Sequence, residues 1–63
     1  MKWDVLTQDQ RDALERHYRR GAISAVCAGI GNDFFFIPWS VWRDMKEHFG
    51  RKYVTAADLE LWR

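Results

Sequence analysis

The middle third of this chain carries almost no charge, and this feature most restricts what the chain can fold into. Residues 1–20 hold nine charged side chains and residues 43–63 hold nine, whereas residues 21–42 hold only Asp33. The apolar block therefore has to supply most of the core and any apolar contact surface. Hydrophobic residues make up 48% of the sequence, including four Trp and four Phe, which is typical of a folding chain and not of a disordered one.

Length and charge restrict the class of function. A chain of 63 residues predicts one small domain spanning 1–63, and a domain of this size leaves little room for a catalytic cleft. We therefore predict no enzyme activity, no catalytic residues and no cofactor. A net charge of +1 gives no overall field that would attract nucleic acid or a membrane surface. No signal peptide or membrane-spanning segment is predicted, and the single cysteine fits a reducing, cytoplasmic location.

Three helices are predicted from periodicity and capping signals. The first covers 7–20, because Thr7 and Gln10 have the spacing of a capping box and Gly21 ends the apolar stripe. The second covers 38–49, where apolar residues recur at three- and four-residue intervals before Gly50. The third, 55–62, is short and has to be held by packing of its apolar residues.

The segments between these helices allow two interpretations. Residues 22–30 are rich in alanine, which favours a short helix, but the same run could form the first arm of a hairpin that turns through 29–33. Phe34 to Ile37 are predicted to be extended, because they are aromatic and precede a proline. The predicted fold is thus a mainly α domain of three to four helices with a short extended aromatic segment and, in the alternative, a minor β-hairpin.

The aromatic run is the main functional signal. In an extended segment Phe34 and Phe36 point to one face and Phe35 to the other. We expect one face to pack within the domain and Phe35, with Trp39, to remain available for a second copy or another protein. The alternative is an ordinary core in which the first helix and the N-terminal Trp3 and Val5 cover the second face.

From this pattern we predict a non-enzymatic protein-binding module, a small regulator or inhibitor that acts as a homodimer or docks on a larger protein. Chains of this size are often accessory proteins encoded by phages or mobile elements that block a host or defence protein. The predicted binding residues are five apolar anchors and three arginines on a polar rim: Phe34, Phe35, Phe36, Trp39, Trp42, Arg19, Arg20 and Arg43.

An alternative function is nucleic-acid binding. Part of the pattern resembles a helix-turn-helix of transposases and phage regulators, carried by Leu6, Thr7, Gln10, Arg11, Leu14, Tyr18, Gly21, Ile23, Val26, Ala28, Ile30, Gly31, Ser40, Val41 and Arg43. The resemblance implies that helix 38–49 is the recognition helix and that Ser40 and Arg43 face bases or phosphates. The sequence departs from the family at Asn32–Trp39, where eight residues replace the usual connection of three or four.

Metal and nucleophile chemistry is not predicted. His48 and Asp44 are one helical turn apart, but two ligands on one helix are too few for a metal site. Cys27 lies among small apolar residues, so we predict that it is a small buried residue and not a nucleophile.

Overall fold

One long helix and a β-hairpin dominate the fold. The computed structural model describes residues 1–63. In chain order the elements are a 3-10 turn Trp3–Val5, α1 Gln8–Arg19, β1 Ala25–Ile30, β2 Asp33–Pro38, α2 Trp39–Arg43, α3 Met45–Phe49 and a 3-10 turn Glu60–Trp62. The predicted mainly α fold of three to four helices is wrong, because two short helices and an antiparallel hairpin follow α1.

The first helix is confirmed. The Thr7 hydroxyl accepts a hydrogen bond from the Gln10 backbone N–H at 3.2 Å, and the Gln10 side-chain carbonyl accepts one from the Thr7 N–H at 2.9 Å. The capping box thus satisfies two amides that the first turn leaves free. No residue of α1 is fully buried, and Leu14 is the half-buried side chain that packs against the core.

The segment between Gly21 and Pro38 forms the hairpin, so the preference for a helix over residues 22–30 is wrong. The two strands pair antiparallel from Ala25–Pro38 to Ile30–Asp33 without a bulge. Gly31 has φ 62° and Asn32 has a negative φ, which is the pattern of a type II′ two-residue turn. Burial alternates along both strands: Val26, Ala28, Phe35 and Ile37 are buried, and Ile30 and Asp33 next to the turn are half-buried. The alanine content of the segment does not reveal this alternation.

The predicted second and third helices differ from the structure. Helix 38–49 is divided into α2 and α3 at Asp44, whose backbone leaves the helical region at φ −98° and ψ 33°. The segment 55–62 contains turns and ends in a 3-10 turn, not in an α-helix. Asp58 accepts from the Thr55 N–H at 2.8 Å, which is one of the two hydrogen bonds of a capping box, but no α-helix follows.

The core lies between the inner face of the hairpin and the helices that follow it. Its nine buried residues are Val26, Ala28, Phe35, Ile37, Trp39, Trp42, Met45, Val54 and Leu59. The N-terminal segment closes the other end, because Lys2 and Tyr53 form an antiparallel bridge and the Trp3 N–H donates to the Lys52 carbonyl at 2.8 Å. None of the helices combines the length and the apolar character that a membrane span requires.

Candidate protein-binding site

The outer face of the hairpin is apolar over its whole length. Its residues alternate with the buried ones and form three directly opposed pairs: Ala25–Pro38, Cys27–Phe36 and Gly29–Phe34. All six are exposed and none is charged. Antiparallel sheets with one face in water normally place polar residues on that face, so this composition is unusual for a surface that stays in solvent.

Phe34 and Phe36 contribute most of the exposed apolar area on this face. Their side chains are 67% and 64% exposed. At full size an aromatic side chain presents 150–250 Å², so the two rings together expose on the order of 250 Å². The Phe34 ring lies over Gly29, where its edge is 3.6 Å from the position that a Cβ would occupy. With the four smaller residues, this patch falls in the size range of functional patches on monomeric proteins.

The other three predicted anchors are in the core. Phe35 is 0% exposed, Trp42 0% and Trp39 3%, so none of them can contact a partner from its present position. The expected division of the aromatic run is therefore reversed: the face with Phe34 and Phe36 is open, and the face with Phe35 is covered. The cover comes largely from α2 and the C-terminal segment, which supply Trp42, Val54 and Leu59 to the core. Trp3 and, from α1, Leu14 also pack against this core, whereas Val5 is 58% exposed.

Cys27 was also predicted incorrectly, because it is exposed at the centre of the outer face. Alanine, cysteine and glycine are compatible with either face of a strand. The register with β2 places Cys27 opposite Phe36, and only this pairing identifies it as a surface residue. Reading 25–30 as a strand in register with 33–38 would have found the whole face from the sequence.

Two of the three predicted rim arginines take part in an internal polar cluster around Glu15. The Glu15 carboxylate accepts from Trp39 Nε1 at 2.9 Å, from Arg43 Nη1 at 3.0 Å and from Arg19 Nε at 3.1 Å. Arg43 also makes a bidentate pair with Asp44, with both distances 3.1 Å. This cluster connects α1 to α2. Arg20 is exposed and makes no ion pair.

The Glu15 cluster predicts a dependence of stability on pH. The hydrogen bond from Trp39, followed by that from Arg43, holds the pKa of Glu15 below its ordinary value of 4.5. A depressed folded-state pKa contributes stability above pH 4.5 that is lost as the pH falls through the folded-state value. We expect the urea concentration at the unfolding midpoint to decrease when the pH is lowered below about 4.5. In Glu15→Gln the midpoint should already be lower at pH 7, and its further decrease with falling pH should be smaller.

Urea unfolding from pH 7 to pH 3, followed by circular dichroism, measures this dependence. Asp44 and Asp58 also have lowered pKa values, through Arg43 and through Thr55 with Arg51 respectively, so part of the acid sensitivity remains in the variant. Glu47→Gln is the matched control, since Glu47 is exposed and makes no hydrogen bond or ion pair through its side chain. An identical pH profile for Glu15→Gln and Glu47→Gln would contradict the role assigned to Glu15.

The helix-turn-helix arrangement is absent. The residues that the resemblance requires as a helix before the recognition helix form β1, and the predicted recognition helix is interrupted at Asp44. Two basic side chains lie near the ring of Trp3: Arg11 Cζ is 4.4 Å and Lys52 Nζ is 4.9 Å from the ring centroid. His17 is exposed on α1, and no three potential metal ligands come together.

No protein-family model matches this chain, and neither the curated proteins nor the solved structures contain a match to it. The contacts and exposure of its own residues therefore have to indicate its function.

Proposed function

We propose that this chain is a non-enzymatic protein-binding module that contacts its partner through the outer face of the hairpin. The observation that supports this most directly is the pair of exposed rings, Phe34 and Phe36, on a face without a charged residue. The proposed anchors are these two rings, Cys27 lies on β1 opposite Phe36, and Arg20 is available for the polar rim. We propose that it acts in the cytoplasm, as a small regulator or inhibitor that blocks a larger host or defence protein.

The energetics of this face favour an occupied state. Covering about 250 Å² of aromatic surface contributes roughly 6 kcal/mol before the cost of association is subtracted. The face is also preorganised, because its two strands are hydrogen-bonded to each other and the inner side chains of the hairpin, among them Phe35 and Ile37, are packed in the core. A rigid apolar surface loses little conformational entropy on binding, which makes it a suitable docking surface for a small protein.

Substitution of the exposed rings tests this proposal. We expect Phe36→Ser to weaken capture of a partner from the lysate of the source cell roughly 30-fold, the effect of removing one aromatic anchor. The thermal midpoint should change little, because the ring is mostly in solvent. The measurement is quantitative pull-down with tagged protein at several bait concentrations.

Tyr53→Ser is the matched control. Tyr53 is 51% exposed, and its ring lies against Arg51 and not on the hairpin. Equal capture by Phe36→Ser and the unmodified chain would contradict the proposal. Binding to DNA that decreases steeply with salt and is lost in Arg43→Ala would favour the nucleic-acid alternative instead.

A further inference from the structure

The outer edge of β1 has unpaired backbone groups. In a hairpin with a two-residue turn, the pair next to the turn exchanges two hydrogen bonds and the pairs then alternate. Ile30, Ala28 and Val26 therefore bond to β2, and the Trp39 N–H continues this ladder by donating to the Ser24 carbonyl at 2.9 Å. The N–H and C=O groups of Ala25, Cys27 and Gly29 point away from β2.

Nothing within the chain uses these groups. None of the hydrogen bonds outside the regular elements, and none of the side-chain hydrogen bonds, involves the backbone of Ala25, Cys27 or Gly29. After the hairpin, α2 contacts both strands, and its first residue is hydrogen-bonded to Ser24, just before β1. The C-terminal 3-10 turn contacts β2. β1 also has no bulge, proline or lysine, the features by which natural edge strands avoid further pairing.

We propose that β1 pairs antiparallel with β1 of a second copy, giving a four-stranded sheet in the order β2–β1–β1–β2. A two-fold axis through Cys27 is the register that uses all the free groups, because it pairs Cys27 with Cys27 and Ala25 with Gly29 of the other copy. Six backbone hydrogen bonds form in this register. The side chains at these positions are small, so the two edges can approach without a clash.

Symmetry favours a second copy as the occupant. The free groups of Ala25, Cys27 and Gly29 are evenly spaced about Cys27, so an identical strand running antiparallel places a donor and an acceptor opposite each of them. These three residues are uncharged, so the two edges meet without charge repulsion. The proposal goes beyond the proposed function, since the edge and the aromatic face are different surfaces. In the dimer both aromatic faces lie on the same side of the sheet.

The molar mass in solution, measured by light scattering, tests the proposal in two variants. Both substitutions lie on the outer face of the hairpin, but only one lies on the free edge strand β1. Cys27→Lys places two lysines against each other at the two-fold axis, whereas Phe36→Lys puts the same charge on the opposed residue of β2. We expect the unmodified chain and Phe36→Lys to have twice the mass of one chain and Cys27→Lys to have the mass of one chain. A single-chain mass for the unmodified protein, a dimeric Cys27→Lys or a monomeric Phe36→Lys would overturn the proposal.

Oxidative crosslinking of the unmodified chain gives an answer even where a lysine variant fails to fold. Facing Cα atoms in a hydrogen-bonded pair are about 5.5 Å apart, within the range of a disulfide, so Cys27 should crosslink rapidly. In the variant Ala25→Cys with Cys27→Ser the two new cysteines are roughly 14 Å apart along the strands and should not crosslink. Equal crosslinking of both proteins, or none of Cys27, would overturn the register. Unchanged partner capture in Phe36→Ser with the dimer intact would contradict only the proposed function.

Discussion

Replacing Trp42 with alanine is expected to lower the free energy of unfolding by about 3–5 kcal/mol, the usual cost of removing a large aromatic side chain from a core. Trp42 is 0% exposed and is the largest of the fully buried side chains. A domain of this length has a total stability of only roughly 3–9 kcal/mol. The substitution should therefore remove about a third or more of the total stability, with a large fall in the urea midpoint and a decrease of the far-ultraviolet circular dichroism signal at room temperature.

Trp42→Phe serves as the control for this prediction. The Trp42 indole N–H is buried without a hydrogen-bond partner, so phenylalanine removes an unsatisfied donor while it keeps most of the apolar contact. We expect a clearly smaller loss of stability than in Trp42→Ala. In Trp39→Phe, by contrast, the hydrogen bond from Nε1 to Glu15 is lost as well. If Trp42→Phe were as destabilising as Trp42→Ala, the assignment of Trp42 to the centre of the core would be contradicted.

The sequence predicted the elements that depend on local interactions. The signals for α1 lie within four residues of each other, and Thr7 and Gln10 form the expected cap. The extended conformation of Phe34 to Ile37 was also predicted, because it depends on local side-chain shape and on the following proline. The break at Asp44 had no such local signal, because the apolar periodicity of residues 41–49 continues across it. In the structure Arg43 holds the Asp44 carboxylate in a bidentate pair.

The hairpin, which depends on contacts between its two strands, was predicted only as the alternative to a helix over residues 22–30, and the structure confirms that alternative. Strand β1 exists because it pairs with β2, and its composition of alanine, cysteine, glycine and β-branched residues is compatible with helix or strand. Alternation correctly separated Phe34 and Phe36 from Phe35, but it could not show which side would be covered. That choice depends on Val54 and Leu59, which lie far along the chain and pack under the sheet. The sequence therefore indicated an aromatic contact surface but named the wrong rings as its exposed members.

Phe34 and Phe35 provide a direct test of which face is covered, since they are adjacent residues of the same type on opposite faces. Phe35→Ala should lower the free energy of unfolding by about 3–5 kcal/mol, because it leaves a cavity beneath the sheet. Phe34→Ala should cost less than about 1 kcal/mol, since its ring is 67% exposed and contributes mainly through its contact with Gly29. Urea unfolding of the two variants under identical conditions measures the difference. Because the substitution is the same at both positions, helix and strand propensities largely cancel, and the difference reports burial. A larger loss for Phe34→Ala than for Phe35→Ala would mean that the hairpin packs with its other face inward, and the docking surface assigned to Phe34 and Phe36 would then lie in the core.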